Sequence, residues 1–514
     1  MNKKQLILHP FLFAIYPVMF LYSYNLEKTP VKQVFRPFII IFFSVLLLWF
    51  ISGIIIKDKN RSALICSLFV ILFFMFGRLN DFIFYMGIKM NYIYLLVLTG
   101  IFFILLSYIL LRISKELSDK ITAILNVISL TLMTFVLLNI MPYLIKLQAY
   151  QAGFEERKDE SIKINNEKNI SLSPDIYYII LDSYARTDVL REFYGYDNSD
   201  FINYLKETGF YIADDSFSNY PVTLTSVPSS LNMGYLYDLI MEIKGDMPEN
   251  VKIDKDLIYK LIQNNKIANF LKHYGYKIVS ISSEYNESDL RAVDVYIQSH
   301  FISEFEQTLI DTTFLPYLLR NSVFSFSKSI RYRNLKAFKV LCRLTEINEP
   351  FFVFVDITIT HFPFVFDEKG GKLSELSLNE YIANQEYYKR DYVKQAVFLE
   401  SKLKELIKYI IEHSKTPPII ILQSDHGPNH TFYYEKEPSY EILKERMAIL
   451  NAFYLPGKPP EKLYEGITPV NTFRIIFNHY FGTNMKIMED KMFYATLKDP
   501  CNFIEVTGKL KGKK

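Results

Sequence analysis

The chain predicts an α/β fold, a largely parallel central sheet flanked by helices, preceded by an N-terminal bundle of about five transmembrane helices. Three observations carry this expectation. Apolar residues crowd the first part of the 514-residue chain, to about position 146, and charge returns after it. Short apolar runs then alternate with stretches of helical period, the pattern of a parallel sheet covered on both faces. Two of those runs end on acids: Asp175–Leu181 on Asp182, and Pro418–Ser424 on Asp425-His426-Gly427. In an open α/β sheet, the carboxyl ends of the strands are where ligands bind.

The membrane part follows from length and polarity. Apolar stretches cover roughly Leu6–Tyr24, Phe38–Ile56, Ala63–Phe76, Tyr92–Leu111 and Ile121–Tyr143. A bilayer crossing needs about 20 largely apolar residues, which the second, fourth and fifth supply. The first contains Pro10 and Pro17, which membrane helices tolerate. The third runs into Arg78, so four spans stand as the alternative count. Lys3, Lys4, Lys57, Lys59, Arg61, Arg112, Lys115 and Lys120 flank one set of ends, against Lys28, Lys32, Arg36, Arg78 and Lys89 on the other. That excess places the N-terminus in the cytoplasm. An odd number of spans then puts everything after about Tyr143 outside the cell membrane. The first stretch lacks a small-residue cleavage signature, which favours a retained anchor.

A net charge of +3 gives no argument for nucleic acid, and the lysines near the C-terminus read as a solvated tail. Cys66, Cys342 and Cys501 form no zinc-binding pattern and are expected to be free thiols. The segment 147–173 is polar and reads as a linker between the anchor domain, 1–146, and an external domain, 174–514. In that domain, strands are expected at Ile176–Leu181, Phe210–Ala213, Tyr276–Ile281, Phe351–Ile357, Pro417–Gln423 and Met447–Leu455. Helices are expected at Val189–Tyr194, Phe201–Thr208, Asp256–Tyr274, Ala383–Glu412 and Thr472–Tyr480, with a small-residue helix beginning near Ser226. The aromatic stretch Phe301–Phe338 fits either a substrate-facing lobe or a surface resting on the membrane.

If the two acid-bearing strands are neighbours, Asp182, Asp425 and His426 converge, and carboxylates with an imidazole suit zinc or manganese. Helix capping is the rival use of Asp182. Gly427 is expected to let the backbone turn sharply past an ion. Thr223 and Thr225 stand just before the small-residue helix, whose free N–H groups attract a tetrahedral anion. Near a divalent cation either hydroxyl could act as a nucleophile, with capping again the rival. His361, behind a strand and ahead of Phe-Pro-Phe, suits proton transfer or an oxyanion contact. His430 fits a further ligand or substrate contact. Arg186 and Arg291 fit pairing with an anionic headgroup, and Asn219 an amide contact to the anion or local turn bonding.

These pieces together resemble a known pattern. Pro174–Arg186 is similar to the opening strand of the sulfatase-like branch of the alkaline phosphatase superfamily. Ser218–Asn232 resembles its nucleophile segment, and Thr360–Phe364 and Ser424–Gly427 resemble its later site motifs. The likeness runs from about Ser173 to Gly482. With the multi-span anchor, the chain also resembles lipoteichoic acid synthases and lipid A phosphoethanolamine transferases. The resemblance implies Asp182, Thr223, Asp425 and His426 as metal ligands, Thr223 as nucleophile and His361 as the substrate-binding or proton-transferring histidine.

Two departures shape what the resemblance implies. The Cys/Ser-x-Pro-x-Arg motif that sulfatases convert to formylglycine is absent around Thr223. Ser183 follows Asp182 where a second aspartate is common, which fits one divalent metal, Mn²⁺ or Zn²⁺ first, with Mg²⁺ or Ca²⁺ as alternatives. The implied activity is transfer of a phospholipid-derived phosphoglycerol or phosphoethanolamine group, through a phosphothreonine, to an envelope glycan. Its partners would be a membrane lipid donor and that glycan acceptor. A sulfate or phosphate ester hydrolase is the alternative, and a non-catalytic envelope protein a further one.

Overall fold

The computed structural model describes residues 6–512 except 27, 28, 30, 89, 156–173, 245–254, 299–301, 320–325, 374, 375, 377, 432–436, 458, 459, 461, 462, 497 and 498. The chain forms two compact units, Met1–Lys163 with Phe301–Phe326, and Ile164–His300 with Ser327–Lys514.

The first unit holds helices α1 (His9–Tyr24), α2 (Val31–Ile56), α3 (Lys59–Tyr85), α4 (Tyr92–Arg112) and α5 (Lys115–Glu155). Among the described residues, four stretches are long and apolar enough to cross a membrane: Val31–Ile56, Lys59–Ile83, Tyr92–Arg112 and Lys115–Ile145. By length, then, the count is four. At 16 residues α1 reaches only about 24 Å, short of a bilayer's apolar core. Its Val18 and Tyr22 are buried in a cluster with Val34 of α2 and Val136 and Ile140 of α5. The expected linker falls largely outside the described residues, since α5 runs on to Glu155.

The aromatic stretch Phe301–Phe338 divides between the two units. Its first part, Phe301–Phe326, belongs to the first unit, although its sequence lies between two strands of the second. The helix Glu304–Asp311 starts on a capping box in which Ser303 and Glu306 satisfy each other's backbone N–H. Phe305 and Leu309 on this helix pack with Val18, Tyr22 and Val34, and Glu306 forms a bidentate ion pair with Arg36. Gly77 of α3 approaches so closely that a Cβ there would sit 2.2 Å from the Asp311 carbonyl oxygen. The Gly77 N–H donates to the Thr312 carbonyl at 2.9 Å.

The second unit is built on seven strands: β1 (Ile176–Leu181), β2 (Tyr211–Ile212), β3 (Lys277–Ile281), β4 (Val295–Ile297), β5 (Phe351–Ile357), β6 (Ile419–Gln423) and β7 (Asn451–Tyr454). Their spatial order is β2-β7-β6-β1-β5-β3-β4. The pairs β6–β1, β1–β5, β5–β3 and β3–β4 are parallel, while β7 is antiparallel to both β6 and β2. A separate antiparallel pair, β8 (Phe493–Thr496) and β9 (Asp499–Glu505), lies near the C-terminus.

Strand alternation explains the two-sided core. Tyr177, Ile179 and Leu181 of β1 pack with the helices Thr187–Tyr194, Ser199–Thr208 and Gln385–His413. Ile176, Tyr178 and Ile180 pack on the opposite face with Thr223–Leu231, Lys266–His273 and Pro469–Tyr480. Every residue of β1 is buried, as a central strand covered on both faces must be.

Two expectations change. Asp256–Tyr274 is two helices, Lys255–Gln263 and Lys266–His273, because the Asn265 side chain caps the second by accepting from the Ala268 N–H. Met447 closes the helix Tyr440–Met447, so only Asn451–Tyr454 of the expected sixth strand is a strand. The short strands β4, β8 and β9 carry too little periodicity to be anticipated. Cys66 and Cys342 are free thiols, and the side chain of Cys501 falls outside the described residues.

Candidate metal centre

The two acid-bearing strands are immediate neighbours. β1 pairs with β6 in parallel, Ile180 opposite Gln423, so both open their carboxyl ends on one edge. Asp182 follows Leu181 and is held to β5 by its N–H on the Ile357 carbonyl, 3.0 Å away. Asp425 and His426 leave the end of β6. One potential ligand atom from each of Asp182, Asp425 and His426 lies within 4.8 Å of the others, and all three residues are buried. His426 Nε2 is 3.8 Å from Asp182 Oδ1 and 3.4 Å from Asp425 Oδ2.

The imidazole is oriented by its other nitrogen. His426 Nδ1 lies 2.9 Å from the Gly427 carbonyl, which only accepts, so the proton sits on Nδ1 and Nε2 offers its lone pair to the group. Gly427 is required for a different reason from the sharp turn expected. A Cβ there would meet the Glu445 carbonyl oxygen at 2.1 Å, and the Gly427 N–H donates to the Arg446 carbonyl at 2.7 Å. It is a close approach of two backbones.

Thr223 is the first residue of the helix Thr223–Leu231, and its hydroxyl enters the same group. Thr223 Oγ1 donates to Asp425 Oδ2 at 2.7 Å and lies 3.2 Å from His426 Nε2. Thr225 points elsewhere, since its hydroxyl bonds the Val222 carbonyl at 3.1 Å and the residue is fully buried. Of the two, Thr223 is the one whose hydroxyl lies within the group.

Charge makes the group hungry for a cation. Burial, then the Asp425 charge beside it, pushes the Asp182 carboxyl well above its ordinary range, and burial raises Asp425 too. Burial, and then the Arg446 cation, holds His426 well below the usual imidazole range. Two enclosed carboxylates with a neutral imidazole, all converging, are a donor set that fits a divalent ion.

His361 is half-buried, and its enclosed Nδ1 has no hydrogen-bond partner. Its ring stands 5.3 Å from that of Tyr285, and burial lowers its pKa while the Asp425 charge acts to raise it. His430 stands apart from the ligand group, with Nδ1 2.7 Å from Glu445 Oε1.

Three expected anion contacts are committed to the fold. Arg186 pairs with Asp188 at 2.7 Å, donates to the Ser216 carbonyl at 2.9 Å and covers the Phe217 ring. Arg291 is held by Asp289 at 2.8 Å and by Asn286 at 2.6 Å. Asn219 spends both ends of its amide, donating to the Lys491 carbonyl and accepting from the Val470 N–H. Each braces backbone or loop.

Other residues border the group, two of which, Arg446 and Asp356, sequence reading did not place at the site. Ser183, in a left-handed conformation at φ 62°, donates its N–H to Asp425 Oδ1 at 3.2 Å and its hydroxyl to Asp182 Oδ1 at 3.0 Å. Arg446 donates to the Pro221 carbonyl at 2.6 Å and the Gly427 carbonyl at 2.7 Å, with Nη2 3.3 Å from His426 Nε2. Asp356, the one acid in β5, is buried within range of both metal-site carboxylates and accepts from the Ser288 hydroxyl. A lone acid inside an apolar strand was the available signal for it.

No family profile matches the chain, and no curated protein does either. Among solved structures, it is similar to the C-terminal periplasmic domain of EcEptC from Escherichia coli, at 14% identity and a TM-score of 0.43, over 68% of this chain and 97% of that one. It is also similar to the periplasmic domain of the phosphoethanolamine transferase EptC from Campylobacter jejuni, at 14% identity and a TM-score of 0.39, over 62% and 92%. A third is a protein in the alkaline phosphatase superfamily from Vibrio parahaemolyticus, at 10% identity and a TM-score of 0.39, over 63% and 73%.

Proposed function

We propose that the α/β unit cleaves phosphate or sulfate esters with one bound divalent metal, using the Thr223 hydroxyl as nucleophile and water as acceptor. The observation that supports this reading is the position of Thr223 Oγ1, 2.7 Å from Asp425 Oδ2 inside the ligand group. Asp182, Asp425, His426 and Thr223 would hold the ion, with Mn²⁺ or Zn²⁺ suiting the donor set. A divalent cation there lowers the pKa of the hydroxyl and offsets charge on the ester oxygens.

The residues divide the remaining work. Asp425 Oδ2 accepts the Thr223 proton, and the freed Thr223 oxygen bonds to the ester centre as the bond to the leaving oxygen breaks. This releases an alkoxide that takes its proton from solvent water. His361, kept neutral by burial, offers a ring N–H to an ester oxygen rather than a mobile proton. Water then releases the group from Thr223. A threonine cannot become the aldehyde that formylglycine chemistry needs, which favours phosphate over sulfate.

A second reading has one observation in its favour. Among the described residues, the same chain carries four helices long and apolar enough to cross a membrane, so a lipid would be a natural donor. On that reading, a phospholipid donates its phosphoglycerol or phosphoethanolamine group to an envelope glycan, with the α/β unit outside the cell membrane and the N-terminus inside.

Purified full-length protein, loaded with Mn²⁺ or Zn²⁺, tests both. Substrates are 4-nitrophenyl phosphate, its diester, 4-nitrophenyl sulfate, and vesicles of labelled phosphatidylethanolamine or phosphatidylglycerol with and without glycan. Metal-dependent ester release without acceptor, lost in Thr223→Ala, supports hydrolysis. Diacylglycerol release only with glycan assigns transfer. Neither activity in metal-loaded protein overturns the proposal.

A further inference from the structure

We infer that the membrane unit holds one acyl chain of a bilayer lipid in a cavity of about 490 Å³ between α2 and α3, roofed by the segment that follows β4. This site is independent of the metal centre and of the activity proposed for it. Its walls are Ile41, Val45, Val70 and Phe74 from the spanning helices, with Leu309 and Ile310 from the roof.

The identity of the occupant follows from the walls and from where they stand. The lining is almost entirely hydrocarbon, so water inside would find too few polar partners to stay. The volume is that of a ligand site rather than a packing defect. Both helices are built to lie in lipid, and α2 in particular has most of its surface turned outward. Ile40 and Leu48 line the cavity and are also 57% and 41% exposed, so it opens sideways through α2 toward whatever surrounds the bundle. In a membrane, that surrounding material is lipid tails.

The polar atoms gather at the Arg36–Glu306 ion pair, which also lines the cavity. Because Glu306 neutralises Arg36, the pair offers no net charge to select a headgroup. Recognition rests on the chain. The roof is fixed on both sides, by Arg36 on α2 and by the Gly77–Thr312 hydrogen bond on α3. A roof fastened at two points keeps the cavity open instead of letting α2 and α3 close over it.

Photolabelling tests the inference directly. The full-length protein is reconstituted in vesicles of phosphatidylethanolamine and phosphatidylglycerol containing a diazirine-tailed phosphatidylethanolamine. After photolysis, the label is expected on Ile41, Val45, Val70, Phe74 and Leu309 in preference to Leu98 and Phe102, which are exposed on α4. Filling the cavity by Val70→Trp, or from its rim by Ile40→Trp, should lower that labelling roughly tenfold and leave α4 unchanged. The rim variant replaces an exposed side chain, so it remains informative if the deep one fails to fold. Equal labelling of α4 and the cavity, unmoved by Ile40→Trp, would mean annular lipid only and overturn the proposal.

Discussion

Arg446 Nη2 stands 3.3 Å from His426 Nε2, so a fixed cation abuts the nitrogen offered to the metal. The same guanidinium joins the Pro221 carbonyl, two residues before Thr223, to the Gly427 carbonyl, one residue after the imidazole. Arg446 thus sets the spacing between two ligand-bearing loops. Arg446→Lys, which cannot reach both carbonyls from one planar fork, should lower metal affinity or turnover by about 10- to 100-fold. Isothermal titration with Zn²⁺ alongside steady-state rates measures both. Unchanged values would reduce Arg446 to a bystander.

Thr223 and Thr225 should separate cleanly. Thr223→Ala is expected to cut turnover by about 10⁴-fold or more, as loss of a nucleophile does. Thr225→Ala loses one hydrogen bond, to Val222, and should cost about 1 kcal/mol of stability while leaving an active site. Mass spectrometry of quenched reactions should find the covalent adduct on Thr223 alone.

Metal binding should strengthen as pH rises. Asp182 and Asp425 have carboxyl groups raised by burial, so the metal-free site retains protons that binding must expel. Falling pH therefore opposes the ion. Calorimetry at about pH 6 and about pH 8 should show weaker affinity and greater proton release at the lower value. Chelation should abolish ester cleavage and lower the thermal midpoint, with Mn²⁺ or Zn²⁺ restoring both.

Glu400 sets a second pH dependence, through stability. Its carboxyl accepts from the Tyr184 hydroxyl at 2.6 Å and the Tyr196 hydroxyl at 2.7 Å, and burial raises its pKa from 4.5 to about 7. An acid raised by folding contributes stability that is full below pH 4.5 and lost as pH climbs through about 7. The contribution is on the order of 3 kcal/mol. Glu400→Gln should flatten urea stability across that window, and a variant as pH-sensitive as the parent would contradict this account.

Gly77→Val should loosen the roof of the membrane cavity. Any Cβ at that position meets the Asp311 carbonyl, and the overlap should cost about 1–3 kcal/mol. Faster hydrogen exchange over the helix Glu304–Asp311 would register it.

The parts of this molecule that could be read in its sequence are those with strong period or strand-end position. β1, β5 and β6 announced themselves as largely apolar runs, and Asp182, Asp425 and His426 by standing at the ends of two of them. Thr223 was legible only as one of two threonines, because which hydroxyl turns inward depends on the helix beginning at Thr223 itself. Arg446 was hidden, since the helix that carries it, Tyr440–Met447, was not expected, and only its last residue fell in the predicted strand. Arg186, Arg291 and Asn219 are held by their neighbours in the fold, which their places in the sequence did not reveal. Polar residues near a site more often brace its loops than touch its ligand, and single-sequence reading does not distinguish the two. The excursion of Phe301–Phe326 into the membrane unit was open because its aromatic pattern suits any apolar neighbour.

That excursion bears on how the enzyme can be handled. Severing the anchor after α5 would strip Phe305 and Leu309 of Val18, Tyr22 and Val34, and leave Glu306 without its arginine. The liberated α/β portion would then carry a sticky, partly charged flap in the middle of its own sequence. Replacing residues 301–326 with a short hydrophilic bridge should be what turns an aggregating fragment into one that can be concentrated and crystallised.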